Sequence, residues 1–495
     1  MNARLAFQFF LLTILLAAST FAFGQKTGPE PVPCMVNGAE EVVSPSGNID
    51  TDTTNIQTAM DTCTTVGTQA GAPVFVRLER GSYNIRPIVM RSYVYLLVPR
   101  GVVVNASTTT SDYQVAGKTT CGTVASSSTG CTPLIYAGQN SQPAASYSGI
   151  IGGRIPGLMG GTIDGHGWDV TSNGFTWWEI AGQAKSAGKN QVNPRLIEFD
   201  KGENLEVRDV TLENAAYFHL VFSQCSNVTV FDLTVDTPSP GRSGTDYNTD
   251  GVDPISSTNV WIDHSRISDG DDNVAITAAT KGTSHDIFVT NNHFGLGHGM
   301  SIGSGTQSGV YNVYVFNVSF EGTDNGLRVK SAQTEGGPVY NIYYDTICMR
   351  GINTHSLSSK NGAIVLDTQY SSGTGTLYPY FHDIHFHDVY SDTDSATISG
   401  TAWDHVRLNG AGGNQPMANL SFYDVVFNEP TTATVADIDA STTYLYSNSR
   451  NLVIPGVSVT PAPAVDPFVP IGPQRDIERY CRFENLLENA FWQKF

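Results

Sequence analysis

Charge is scarce in this 495-residue chain: charged residues make up 15%, with 27 Lys and Arg against 46 Asp and Glu, a formal charge of −19. Nucleic acid and anionic membrane surfaces both require a broad basic face, so a deficit of this size argues against either partner. It leaves room for an anionic ligand held in a locally positive cleft. Long apolar runs are missing beyond residues 1–25, and no later segment is apolar for long enough to span a bilayer. The N-terminal run MNARLAFQFFLLTILLAASTFAFGQ has Arg4 ahead of it and Ala22-Phe23-Gly24 after it, small residues where a signal peptidase reads. It reads as a secretory signal, residues 1–24, cut before Gln25, with an exported, soluble mature chain. Cysteine is also sparse, at seven residues. Cys121 and Cys131 bracket a short Ser/Thr/Gly loop and Cys34 can reach Cys63, two candidate pairings in an oxidising compartment. Cys225 and Cys348 lie in apolar strand-like runs and are expected as buried thiols.

Helical periodicity is almost absent too, apart from DTTNIQTAMDTC (52–63). What replaces it is a repeat: Asn or Asp, apolar residues one and three places later, and often Asp or Asn at five. It reads NLEVRDVTL from Asn204, NVTVFDLTV from Asn227, NVWIDHSRI from Asn259 and DIFVTNNHF from Asp286. It continues as NVYVFNVSF from Asn312, NIYYDTICM from Asn341, DIHFHDVYS from Asp383 and NLSFYDVVF from Asn419. The period of two and the Val, Ile, Phe and Tyr content indicate strands with one buried face. Spacings of 23, 32, 27, 26, 29, 42 and 36 residues suit coils of a parallel β-helix with loops of varying length. A propeller blade needs four strands per unit, and each unit here offers two or three short ones. Asn or Asp at a fixed place marks a turn with left-handed backbone, and stacked turns make an Asn ladder. The helical segment at 52–63 is expected to cap the open N-terminal end. The pattern stops near residue 430. Residues 25–455 are expected as one β-helical domain and 456–495 as a tail without an assigned role.

Residues at one coil position form a column, neighbours lying about 4.8 Å apart. Asp271 is twelve places after Asn259 and His298 twelve after Asp286, so the two stack. Asp250 lies about one coil before Asp272, and Arg328 and Lys330 one coil after His298. Carboxylates, an imidazole and two cations thus converge on one face. The run TDYNTDGVDP (245–254) also fits the start of a calcium loop, but its twelfth position is Ser257 where a Glu is required, and no helix flanks it. Neither a metal nor a cofactor is expected. Asp271 and Asp272 can both face outward only if the backbone bends, and Gly270 permits that. Trp177 and Trp178 are expected to pack more than to line a sugar site.

The runs Asn248-Thr249-Asp250-Gly251, Gly270-Asp271-Asp272, Gly297-His298-Gly299 and Arg328-Val329-Lys330 resemble the four signature motifs of polygalacturonases, pectin-degrading glycoside hydrolases, in order and spacing. The resemblance covers roughly residues 40–430, includes Asp367-Thr368-Gln369-Tyr370, and is similar to bacterial endo-acting members. Asn273 departs from it, since many members carry Cys there. The resemblance implies an all-β, right-handed parallel β-helix that hydrolyses α-1,4-linked galacturonan with inversion. It implies Asp271 as general acid, Asp250 and Asp272 as the pair activating water, and His298 as the group keeping the acid's proton available. Arg328 and Lys330 would bind the sugar's carboxylate, with Tyr370 and Asn248 beside the cleaved bond. Crowding by two other carboxylates should raise the proton affinity of Asp271. Pectin or polygalacturonate is then the partner of a secreted monomer. An exo-polygalacturonase, a rhamnogalacturonan hydrolase, a calcium-dependent pectate lyase and a non-catalytic β-helical carbohydrate-binding protein are the alternatives.

Overall fold

In the computed structural model each repeat copy is a strand bent at two left-handed residues. The starting residues Asn204, Asn227, Asn259, Asp286, Asn312, Asn341, Asp383 and Asn419 all have φ between 52° and 56°. The residues five places on, from Asp209 to Asp424, are left-handed as well. Asn and Asp tolerate this region because their short polar side chains bond locally. The starts form the expected ladder. Asn227 Nδ2 donates to Asn204 Oδ1 at 3.2 Å, Asn259 to Asn227 at 2.7 Å, Asn312 to Asp286 at 2.9 Å and Asn341 to Asn312 at 3.2 Å.

The apolar residues one and three places after each start point inward, and all sixteen are at most 1% exposed. Register keeps them stacked: Leu205 pairs with Val228, Val228 with Val260, Val260 with Ile287 and Ile287 with Val313. Burying a side chain of this size stabilises by about 1.5–3 kcal/mol, so each coil adds its own share of core. Among the described residues the strand pairings are parallel except for one short antiparallel pair, Met35–Val36 with Ala39–Glu40, and an isolated antiparallel bridge joins Val170 and Thr176. A propeller, built from antiparallel blades, is excluded. The coils wind as a right-handed parallel β-helix, the hand that parallel crossovers adopt. The structure describes residues 29–125, 130–153, 157, 159–189, 192–238, 245–353, 358, 360–370, 375–392, 405–412, 415–463 and 476–482, so the signal segment lies outside the described residues.

An eleven-stranded sheet forms one face and carries the site. Its strands are β1 (Ile88–Val89), β2 (Ile135–Ala137), β3 (Ile197–Asp200), β4 (Leu220–Ser223), β5 (Val252–Ile255) and β6 (Val274–Ile276). The order continues through β7 (Met300–Ile302), β8 (Leu327–Lys330), β9 (Ile364–Asp367), β10 (Val406–Asn409) and β11 (Thr434–Ala436). These strands are three or four residues long for the most part, so residues just before them are free to bend.

The N-terminal cap is helix α1, Ile49–Ala70. Asn48 caps it through its side chain, and Gly71 closes it at φ 63°. Ile56, Ala59, Met60 and Cys63, one helical face, are buried against the first coils. Cys34–Cys63 and Cys121–Cys131 are disulfides. Cys225 is a buried thiol. Cys348 is not: it is bonded to Cys481, 133 residues on. Apolar surroundings hid that partner, because the tail folds back over the long sheet, where Cys481 and Ile477 pack on Cys348, Tyr390 and Val426. The coils also outlast the sequence pattern, since Tyr444–Tyr446 pairs with both the strand ending at Thr432 and Val459–Thr460. Trp177 and Trp178 begin helix α2, Trp177–Ser186, and are packing residues. Trp178 Nε1 donates to Ala215 O at 2.9 Å, and Trp177 meets Tyr113 edge to face.

Candidate active site

The acidic motifs precede their strands, which solves the problem of two adjacent outward carboxylates. Asp271 and Asp272 lie in the bend ahead of β6 and are directed by separate partners. Gly270 makes the bend possible: a Cβ there would fall 2.3 Å from Asp246 Cγ. Thr249 ties this bend to the previous coil, its hydroxyl donating to Asp246 O at 2.8 Å and accepting from Gly270 N at 2.9 Å. Beneath Asp250, buried His219 holds the backbone, with Nδ1 at 3.0 Å from Thr249 O and Nε2 at 2.8 Å from Thr237 Oγ1. Burial pushes the His219 imidazole down to about 4, so it is a neutral brace. Asn273, the departure from the resemblance, is also structural: its side chain donates to Leu296 O and accepts from Gly299 N.

Above this frame lies a cleft of about 570 Å³ lined by Asn248, Asp250, Asp271, Asp272, His298, Lys330 and Tyr370 among others. His298 Nδ1 is 2.9 Å from Asp271 Oδ1, as the equal offset from their repeat starts implies. Its Nε2 is 3.3 Å from Asp324 Oδ2, so the ring is clasped between two carboxylates. Asn248, at φ 56°, donates to Asp271 Oδ2 at 3.3 Å. Asp272 Oδ1 accepts from Ser301 Oγ at 2.8 Å and from Arg328 Nη2, and its Oδ2 accepts from Lys330 Nζ at 2.7 Å. Lys330 Nζ also lies 5.0 Å from the centroid of the Tyr370 ring. Tyr370 itself is 40% exposed, as a ring available to a ligand must be. Arg328 and Lys330 are buried rather than a solvated charged strip. Arg328 sits behind Asp272, its Nε donating to Ser301 Oγ at 2.9 Å, and is not among the residues lining the cleft.

The four carboxylates of the floor fall into two electrostatic pairs. Burial raises the proton affinity of Asp272, but Arg328 and Lys330 overcome it and hold the group well below the usual carboxylate range. Burial likewise raises Asp271, and the imidazole of His298 overcomes it, leaving Asp271 below its ordinary value. The expected effect of carboxylate crowding on Asp271 is therefore reversed by a partner one coil away. His298 moves up in response, despite burial, because Asp271 faces it. Crowding falls on Asp250 instead: burial first, then Asp271 and Asp253, push it well above the ordinary value. Asp253 behaves the same way.

Asp253 and Asp324 were not singled out from the sequence. The first was available as an alternating position on the strand that Asp250 introduces. The second had no signal, since its contact with His298 depends on how one bend meets the next. For cations, Asp271, Asp272 and His298 offer ligand atoms within 4.8 Å of one another, as do Asp345, His387 and Asp388 on the long sheet. In the first group Asp272 already serves two fixed cations, so a metal would compete with both. The calcium-loop reading of 245–254 finds no helix at its flanks, because the segment leads straight into β5.

A parallel β-helix with acid, imidazole and cation gathered on one short-stranded face defines a carbohydrate-cleaving hydrolase of the solenoid class. Residues 98–444 match the model of glycosyl hydrolases family 28, and the chain belongs to that family of glycoside hydrolases. It is 36% identical over 412 residues to an endo-polygalacturonase of Pectobacterium carotovorum subsp. carotovorum, covering 81% of this chain and 90% of that protein. A polygalacturonase of Ralstonia solanacearum is 36% identical over 383 residues, 69% of this chain and 67% of that one. The solved polygalacturonase from Erwinia carotovora ssp. carotovora superposes with a TM-score of 0.70 at 32% identity, over 84% of this chain and 99% of that one.

Proposed function

We propose that the chain is a polygalacturonase that hydrolyses α-1,4-galacturonosyl linkages of polygalacturonate by single displacement with inversion, acting within the chain. The observation that carries this reading is the division of the cleft floor: Asp271 is bonded to His298 of the next coil, while Asp272, its neighbour in the same bend, is bonded to Lys330. An inverting site needs an acid at the leaving oxygen and a base that activates water from the opposite face, with carboxyls roughly 6.5–9.5 Å apart. Asp271 is the acid. The proton it delivers is shared with His298, which accepts the burden of holding it in the resting site. Asp272, fixed as a carboxylate, orients the water, and Asp250, of raised proton affinity, is the stronger base beside it. Lys330 meets the uronate carboxylate, Arg328 adds its charge from below, and Tyr370 and Asn248 flank the bond. Residues 25–455 carry the activity as an exported monomer, and the segment around Cys481 is fastened to the coils by the Cys348–Cys481 bridge.

Incubation of purified protein with polygalacturonate, with products resolved by size over time, tests this. Intermediate oligomers with new reducing ends, released first as the inverted anomer, are expected. Release of monomer alone would overturn endo action, and unsaturated ends absorbing in the ultraviolet would overturn hydrolysis in favour of a lyase.

A further inference from the structure

Asp253 is the one floor carboxylate that hydrolysis by Asp250, Asp271 and Asp272 leaves without a role. It lies on β5, pairs with Val221 of β4 and lines the cleft. The residue is 2% exposed, and neither of its carboxylate oxygens has a hydrogen-bond partner. The titratable and charged groups that face it come from five places, the first being the buried Tyr217 phenol ahead of β4. Asp250 approaches from the preceding bend, Asp271 and Asp272 from the bend before β6, Arg195 from ahead of β3 and Lys330 from β8. Val221 on one side and the Val252–Val274 register on the other bring no further charge. The two cations are committed elsewhere: Arg195 Nη1 to Glu198 Oε1 at 2.6 Å, and Lys330 to Asp272. Among the described residues no ion pair includes Asp253.

Charge counting points the same way. Arg328, Lys330 and the His298 imidazole already face Asp271, Asp272 and Asp250 before any substrate carboxylate arrives, so no positive group is left over for a fourth carboxylate. An ionised Asp253 would be unmatched in a site built to receive a polyanion, and a buried unmatched carboxylate takes up a proton instead. We propose that Asp253 is carried as a neutral carboxylic acid and, once its side chain turns toward the cleft from the solvent-shielded position it holds here, donates its hydroxyl hydrogen to an oxygen of the uronate unit seated over β5 and β6. The hydrogen bond reads the sugar without adding negative charge. Burial and the neighbouring Asp272 raise the proton affinity of Asp253 in the same direction. The inference rests on galacturonan as the substrate for its binding half, while the protonation half stands on the protein alone.

The test compares wild type, Asp253→Asn and Asp253→Ala. Kinetics on galacturonate oligomers are run across pH, and thermal unfolding without substrate at the same pH values. The amide is neutral and keeps a donor. Asp253→Asn should lose less than about tenfold in kcat, and its kcat/KM should fall less steeply than wild type as pH rises above the ordinary carboxylate range. Asp253→Ala should raise KM by about tenfold or more at every pH. A carboxyl whose folded proton affinity is raised gives stability that is present below about pH 4 and is lost as pH rises. Asp253→Asn should therefore unfold at a higher temperature than wild type at pH 7, with the gap closing toward pH 4. The proposal is overturned if the Asn variant is as inactive as Asp271→Asn throughout, which would mean an ionised role. A pH profile superimposed on wild type, or an unfolding gap that does not change with pH, would overturn it too. The unfolding arm needs no substrate, so a protein inactive on galacturonan would sink the substrate assignment while still reporting on this proton.

Discussion

Two polar columns run along the β-helix and solve opposite problems. The Asn ladder places the same kind of residue at the same left-handed turn in coil after coil. Each amide is satisfied by its neighbour, as when Asn259 donates to Asn227 at 2.7 Å. The column on the cleft face changes identity at every coil. Paired positions read Asp253, then Ala275, Ser301, Arg328, Val365 and Arg407, in order from β5 to β10. Repetition lets a polar group be buried cheaply, because its partner is guaranteed by the fold. Breaking the repetition leaves charges that only cross-coil contacts can balance, and an imbalance such as that at Asp250 and Asp253 is what a ligand can use.

The largest effect is expected from Asp271→Asn, which keeps shape but cannot deliver a proton: turnover should fall by about a thousandfold or more, with oligogalacturonate binding nearly intact. Activity within about tenfold of wild type, measured as kcat on oligomers, would remove Asp271 from the acid's role. Lys330→Ala comes next. It should raise KM strongly, and added salt should weaken wild type far more than the variant, since screening removes an attraction the variant lacks. The same change releases Asp272 from one of the two cations holding it low. The acid limb of the rate profile should therefore move to higher pH. An unshifted limb with unchanged KM would remove Lys330 from the cleft.

On the other column, Asn259→Ala removes a ladder bond and sets a Cβ-bearing residue without a local partner at φ 53°. A loss of about 1–3 kcal/mol in denaturant unfolding is expected, with kcat unchanged at temperatures where the protein stays folded. If kcat falls with stability intact, the two columns are not independent. A smaller change is expected from pH alone. With His298 raised by Asp271, activity should hold through the acidic range and decline as pH climbs past the ordinary imidazole value, where the shared proton is lost. A profile rising through neutrality would contradict this. The smallest effect is that of excess chelator, which should leave turnover unaltered. Loss of activity restored by calcium would return the run at 245–254 to a metal-binding role.

Most of the scaffold was legible because the repeat is local. Left-handed turns favour Asn or Asp, buried faces need alternating apolar residues, and both write themselves into nine consecutive letters. The placement of Asp250, Asp271, Asp272, His298, Arg328 and Lys330 on one face followed from counting along those letters. The stacking of His298 on Asp271 in particular came from equal offsets. The disulfide from Cys348 was invisible, since a partner 133 residues away leaves no trace in an apolar strand. Asp324 was missed for the same reason: its contact with His298 is made across coils.

What the sequence by itself determined is therefore the coil, its period and which residues share a face, since these depend on neighbours within one turn of chain. Which carboxylate gains proton affinity and which loses it was decided only in three dimensions. Asp271 and Asp272 are adjacent and chemically identical, and Asp250 and Asp253 are three residues apart. One pair lies against His298, Arg328 and Lys330 from later coils and is held below the ordinary carboxylate value, while the other is buried facing its own kind and is pushed above it. Proton affinity is set by the charges and solvent within a few ångströms, and those arrive from strands distant in sequence.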